Sequence, residues 1–441
     1  MRVLPINVIA VFCLASACTH QDPSDLYVDS GLAAEIRQIP AIDNHAHPVA
    51  VSVPGDEDHN YDALSMEGIQ DLALPTPFSE DSAYFPQAWH ALYGYDAGAS
   101  KRPNLSRVEE LEHEKAQQKG DLFPAWVLNQ SHTEIMLANR VAMGRGLTPD
   151  RFKWVPFVDM FLFPLNNAAL KAKDPDKRIF FTREEQLLRG YLNDAQLKAV
   201  PASLDDYLTF ISHRLEVFKS KGAVALKFEL AYLRDLNIGD PQREAAERVY
   251  AIYSRSSEPS PDEYKLLQDY LFRYVAREAG RINLPIHIHE GLGAGSYFRE
   301  ANANALLLEP VFNDPSLRKT KFVLLHAGYP FAHEAAAMIL KPNVYLDFSA
   351  LMYDTYPVEG ARALRLYLEA APQKVLYGSD ASPFSNTVGW PETDWIGARV
   401  GREELGIALT GMVRDREITY DRAKQIAHLV MRENARQMYG F

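Results

Sequence analysis

Short apolar, β-branched runs recur along the chain, with stretches of helical spacing between them. Eight of these runs read as strands: Ala41–His45, Thr133–Ala138, Phe152–Val158, Ala223–Leu230, Leu284–His289, Lys321–His326, Asn343–Phe348 and Lys374–Ser379. Several are apolar at successive positions, as strands covered on both faces are. Helical patterns fill many of the gaps, over Leu204–Lys221, Asp262–Gly280, Ala361–Ala371 and Tyr420–Met438. Strand alternating with helix predicts a parallel sheet, and eight such units predict an α/β fold of the distorted (β/α)8 TIM-barrel type.

Two gaps are too long for plain barrel loops, about 49–132 after the first strand and about 161–203 after the third. The first holds the aromatic stretch Ala83–Tyr95 and a charged helical stretch, Val108–Lys119. Both follow strand ends, where barrels of this kind build their sites. They are therefore expected to be helical insertions that shape a pocket. A shorter insertion is expected near Asp235–Pro261.

The chain has 441 residues, of which 47% are hydrophobic and 11% aromatic, which suits a large folded core. Lys+Arg 46 against Asp+Glu 58 gives a net charge of −12, which disfavours nucleic acid or anionic lipid as a partner through bulk charge. A small-molecule substrate is the expected partner; oligomeric state is unreadable.

The N-terminus carries an export pattern. Arg2 precedes a mostly apolar run, Leu4–Leu14, and Leu14-Ala15-Ser16-Ala17-Cys18 places small residues before a cysteine. Residues 1–17 are expected to be a lipoprotein-type signal peptide, Cys18 the lipidation site, 18–38 a tether and 39–441 the catalytic domain. Such a protein would sit in the cell envelope, on the periplasmic side, held to the membrane only through its lipid anchor. The chain's two cysteines, Cys13 and Cys18, both lie in this segment, so any metal site must draw on His, Asp, Glu or a modified Lys.

Chemistry concentrates at strand ends. Ile42-Asp43-Asn44-His45-Ala46-His47-Pro48 holds two histidines at i and i+2, on one face of a strand that Pro48 ends. Two neutral imidazoles so placed can share a divalent cation at about 2 Å each. Later strands end in Lys227-Phe228-Glu229, His287-Ile288-His289, Leu325-His326, Leu346-Asp347 and Ser379-Asp380. A buried charge without a partner is costly, so each needs an explanation, and a satisfied core polar group explains any one alone. It does not explain the set, because strand C-terminal ends of a barrel gather on one face.

These motifs carry a resemblance. His289-Glu290-Gly291, Leu324-Leu325-His326-Ala327-Gly328-Tyr329-Pro330, Asn343-Val344-Tyr345-Leu346-Asp347 and Lys374-Val375-Leu376-Tyr377-Gly378-Ser379-Asp380 resemble the amidohydrolase superfamily. So does Lys227 followed by Ala231-Tyr232-Leu233-Arg234. Within the superfamily the chain resembles the amidohydrolase-related family, and there the amidohydrolase domain of FluG-type proteins. The resemblance implies a metal-dependent hydrolase acting on an amide-type C–N bond of a small molecule. It implies His45, His47, Lys227, His289, His326 and Asp380 as the metal set, with Asp380 catalytic. The cofactor would be zinc or a similar divalent ion. Two ions are implied if Lys227 is carboxylated by CO₂ and bridges to a second ion held by His289 and His326. One is implied if Lys227 stays an amine; a buried Lys–Glu or Lys–Asp pair is then its other explanation. His287, with the parity of His289, would lie one layer deeper, and Asp347 would orient a ligand histidine. Arg234, Tyr232 and Tyr329 are candidate substrate contacts, Arg suiting a carboxylate. The same scaffold also supports a metal-dependent decarboxylase or a lactonase. A non-catalytic ligand-binding lipoprotein is the reading from a different class.

Overall fold

The computed structural model describes residues 28–441, apart from 53–54, 56, 70–74, 79–81, 97–101, 255–257 and 386. The expected signal peptide, Cys18 and the first part of the tether lie outside the described residues. Eight strands follow one another: β1 (Ala41–Ala46), β2 (Thr133–Asn139), β3 (Phe152–Val155), β4 (Leu226–Phe228), β5 (Ile286–His289), β6 (Phe322–Leu325), β7 (Val344–Asp347) and β8 (Val375–Leu376). All pair in parallel, in the order β1-β2-β3 and β4-β5-β6-β7-β8. Thinner seams join the two sheets. Between β3 and β4 these are the bridges Trp154–Ala223 and Phe157–Lys227. Between β8 and β1 there is one bridge, Ala46–Ala381, with hydrogen bonds from Asn44 N–H to the Tyr377 carbonyl (2.9 Å) and from Asp380 N–H to the His45 carbonyl (2.7 Å). The result is a distorted (β/α)8 barrel, as the alternation of strand and helix predicts.

The barrel interior is filled in layers. Ile42, Leu137, Val155, Val323, Leu325 and Leu376 form an apolar floor, which Ala435 and Met438 of the final helix cap from below. Because the floor is apolar, the polar residues one layer higher must find partners among themselves or in the cavity above.

The outer helices follow the predicted spacing closely: Leu204–Ser220, Pro261–Arg281, Pro357–Ala370 and Tyr420–His428, the last continuing to Tyr439. The hydrophobic pattern gives no sign of the long helix Trp390–Arg414, because it is buried almost all round and carries no clean stripe. Its glycines permit close approach instead. A Cβ on Gly397 would stand 2.7 Å from Tyr353 Oη and 3.0 Å from Ser379 Cβ, so a larger residue would push the helix off the end of β8. The folded body also begins earlier than residue 39. Within the expected tether, Ser30–Gln38 forms a helix, capped by Asp29, that buries Leu32 and Ile36.

Both long insertions are present. The first contains the helices Tyr84–Tyr93, Leu105–Lys119 and Phe123–Gln130, and the second is built on Pro175–Asp194. They meet over the barrel mouth, where Arg183 donates to the carbonyls of Ser65 and, at 2.8 Å, Glu67. Among the described residues, no helix is long and apolar enough to cross a membrane.

Candidate metal centre

Parallel pairing sends all eight strand C-termini to one end, and the candidate residues arrive there together. His45 and His47 leave β1 on one face with ring centroids 5.0 Å apart. Asp380, beyond β8, places Oδ1 3.1 Å from His45 Nε2 and 3.6 Å from His47 Nε2. Its other oxygen is 3.9 Å from His326 Nδ1 at the end of β6. Lys227, fully buried on β4, holds Nζ 3.3 Å from His45 Nε2. The His289 ring of β5 is 4.5 Å from that of His326. All six side chains line one cavity of ≈ 370 Å³.

Two of these residues depart from ordinary backbone. His326 has φ 70° and Asp380 φ 55°, in the left-handed region that non-glycine residues avoid. Such conformations cost of order 1–3 kcal/mol each and persist where surrounding bonds over-determine them. Here Asp347 supplies part of that restraint: Oδ1 accepts from His326 N–H (3.2 Å), Ser349 N–H (3.1 Å) and Ser349 Oγ (2.6 Å). On the other side, Asp43 accepts from Ser379 N–H (2.9 Å) and Ser379 Oγ (2.5 Å), fixing the turn into Asp380.

The same contacts set the imidazole tautomers. With the Ser349 hydroxyl committed to Asp347, its remaining role toward His326 Nδ1, at 3.1 Å, is as acceptor. His326 therefore carries its proton on Nδ1 and keeps the Nε2 lone pair. His47 Nδ1 faces the Tyr61 carbonyl at 3.3 Å, so it donates there and Nε2 is the free lone pair. Burial, with the Lys227 charge among the lesser causes, pulls His45, His47, His289 and His326 below the usual imidazole range. All four are neutral, the form that binds metal. Asp380 moves the other way. Burial raises it well above the carboxylate range, Lys227 counteracts, and Asp347, Asp354 and Asp62 add to the rise.

His287 lies one layer deeper, its Nε2 2.7 Å from Tyr439 Oη, and burial pushes it down to about 3. Tyr232 lines the cavity, its ring 4.6 Å from that of His289. Two expected substrate contacts are elsewhere. Arg234 pairs with Asp269 (2.8 Å) and bonds to Gln268 (3.1 Å), because the chain turns away from the cavity after the short helix Leu230–Leu233. Tyr329 does not line the cavity, and its carbonyl accepts from Leu292 N–H at 2.6 Å. Sequence reasoning missed Asp62 and Asp354, which also line it. Asp62 sits in the first insertion, where no periodic pattern marks it. Glu229, which shares the parity of Lys227, is in the wall as that parity implies.

The donor set fits a divalent cation. His45, His47 and Asp380 place ligand atoms within 4.8 Å of one another, as do His47, Asp62 and Glu229. His289 Nε2 is buried with no protein partner, although it lines a polar cavity. Neutral imidazoles and a carboxylate converging at the mouth of a (β/α)8 barrel define a metal-dependent enzyme of this fold family.

The C-terminal part of the chain resembles a known family. Residues 243–441, which carry β5 to β8 with His289, His326 and Asp380, match the family model described as Amidohydrolase. It is 27% identical over 233 residues to protein fluG of Emericella nidulans, a match covering 49% of this chain but only 25% of that protein. Three solved structures share the fold. One is a proposed metal-dependent hydrolase from Lactobacillus casei ATCC 334 (TM-score 0.58, 16% identity, 93% of this chain and 97% of that one). The others are the glucuronate isomerase of Caulobacter crescentus (0.60, 14%, 95% and 97%) and the uronate isomerase of Thermotoga maritima (0.59, 13%, 94% and 99%).

Proposed function

We propose that this protein is a metal-dependent hydrolase that cleaves an amide-type C–N bond of a small molecule. Isomerases share the fold, so the argument rests on the site. The observation that carries it is the position of Asp380: one carboxylate stands beside the Nε2 atoms of two imidazoles and also lines the open cavity. His45, His47 and Asp380 would hold one ion. Lys227, if carboxylated, would bridge to a second ion held by His289 and His326; as an amine it leaves one ion. Zinc suits the His and Asp donors. A divalent ion there supplies Lewis acidity, polarising a substrate carbonyl and making a water more acidic.

The chain's own residues do the rest. Burial gives Asp380 a proton affinity above that of an ordinary carboxylate, which suits it to take a proton from the attacking water and return it to the leaving nitrogen. Phe78 packs edge-on to Phe384 with centroids 4.4 Å apart and against Tyr353 at 4.9 Å. This aromatic wall keeps bulk water from the reacting carbon.

The test combines metal analysis of the purified protein with a substrate panel read for both amine and CO₂ release. Stoichiometric metal with amine release, abolished in Asp380→Asn, is the expected result. CO₂ release without amine would replace hydrolysis by decarboxylation.

A further inference from the structure

Beside the metal centre the cavity continues between Tyr61 and Asp62 of the first insertion and Glu229 at the end of β4. This wall holds acidic side chains that its protein contacts leave unsatisfied, and burial raises Glu229 and Glu184 well above the usual carboxylate range. Glu229 is 4% exposed, and its Oε2 has no hydrogen-bond partner although it lines the cavity. Behind it, both carboxylate oxygens of Glu184, itself 1% exposed, are also without partners. Asp62 Oδ1 accepts from Leu64 N–H at 2.9 Å, and Oδ2 stands 3.5 Å from His47 Nδ1. Oxygens of Asp62 and Glu229 and a nitrogen of His47 lie within 4.8 Å of one another. Buried carboxylates without partners are expensive, so something that enters the cavity is expected to complete them.

A divalent ion is the weaker candidate for that role. His47 Nδ1 faces the Tyr61 carbonyl and so bears a hydrogen rather than a lone pair toward Asp62. What remains is a pair of carboxyl side chains at the edge of a substrate cavity, which an entering cation would hold in the ionised, accepting form. Phe78, Tyr353 and Phe384 also line the cavity, and aromatic ring faces attract cations. Four carboxylates line the cavity (Asp62, Glu229, Asp354 and Asp380) against one Lys or Arg, Lys227, among the described residues.

We propose that Asp62 and Glu229 form a specificity subsite for an organic cation, an ammonium or amidinium group carried by the substrate. The proposal rests on the cavity being the reaction site and names the class of molecule it accepts. Because His47 belongs to both groups, the cationic end stands close to the bond that is cut. Acidic substrates are disfavoured by the same wall, and Arg234, the residue that would have welcomed them, is paired with Asp269 outside the cavity.

Benzamidine, benzamide and benzoate test this directly. They have nearly one shape and carry a positive, zero and negative charge at neutral pH. Titration calorimetry on the metal-loaded protein should show benzamidinium binding about tenfold tighter than benzamide, the equivalent of one charge-assisted hydrogen bond, with benzoate weaker still. Asp62→Asn, in the insertion, should erase most of that preference while metal content is retained; Glu229→Gln should do the same. Equal or tighter binding of benzamide or benzoate, or an undiminished preference in Asp62→Asn, overturns the proposal. So does a second equivalent of zinc that displaces benzamidinium and is lost in Asp62→Asn. Binding does not depend on turnover. Charge-selective binding without amine release would retire the hydrolase reading alone, and amine release without charge selectivity would retire only the subsite.

Discussion

Removing Asp58 should disturb the metal centre from a distance. Asp58 accepts from Ala50 N–H (2.7 Å), Asn60 N–H (3.0 Å) and Arg140 Nη2 (2.9 Å), and stands 2.8 Å from Arg140 Nη1. Arg140 is 1% exposed and also donates to the Pro48 carbonyl at 2.5 Å. The pair thus ties the chain leaving His47 to the loop that brings Tyr61 back to His47 Nδ1. Breaking one partner of a buried pair leaves the other charge uncompensated, which costs about 3–5 kcal/mol. Asparagine keeps one acceptor, so Asp58→Asn belongs near the lower end and Asp58→Ala near the upper. Misplacing the Tyr61 carbonyl should also weaken metal binding by roughly 10- to 100-fold, the usual effect of losing a ligand's orienting partner. Urea unfolding measures the first effect and competition with a chromophoric chelator the second. The pH dependence has a definite sign. Burial raises the Asp58 carboxyl, but Arg140 and the two backbone N–H groups outweigh it and hold it below its ordinary 3.8. A depressed carboxyl stabilises the fold above its unfolded value and loses that contribution as pH falls through the folded one. The difference between wild type and Asp58→Asn should therefore be constant at neutral pH and shrink below about 3.8. A cost under about 1 kcal/mol with unchanged metal affinity would refute the role given to this pair.

Other outcomes follow from the same geometry. Asp380→Asn and His45→Ala should each abolish turnover and leave circular dichroism and solubility unchanged; retained activity in either would remove it from the reacting set. Ser349→Ala should lower metal affinity roughly tenfold with a small loss of stability, because His326 loses the acceptor that fixes its tautomer. Protein grown with isotopically labelled bicarbonate should show a carbamate resonance that disappears in Lys227→Met. Its absence from metal-loaded wild type would leave Lys227 an amine beside a single ion. Export through Cys18 would appear as labelled palmitate on wild type and none on Cys18→Ala.

The strand pattern was legible because burial on both faces writes a strong signal: each predicted run contains the observed strand to within a residue or two. The helix Trp390–Arg414 was not legible, because burial all round removes the amphipathic stripe by which helices are recognised. The convergence of the candidate metal set could be read since its members lie at or near the C-terminal ends of strands, and parallel topology then fixes where strand ends go. Arg234 misled for the converse reason. It lies past a strand end, where direction depends on a short helix and on Asp269, far away in sequence. Asp62 left no trace, because insertions are positioned by contacts such as Arg140–Asp58 and Arg183–Ser65 rather than by periodicity.

The two places where the cylinder is held by isolated bridges are also where its chemistry stands. His45 and Asp380 flank one junction, and Lys227 forms a bridge of the other. A cation gripped from both sides would act as a rivet, fastening the first and last staves of the barrel where the backbone provides few bonds. At roughly a hundred times its dissociation constant, one ion would add about 2.7 kcal/mol to the fold. Chelation should then lower the melting temperature and speed hydrogen exchange in β1 and β8 ahead of β5 and β6, which are knit into continuous sheet.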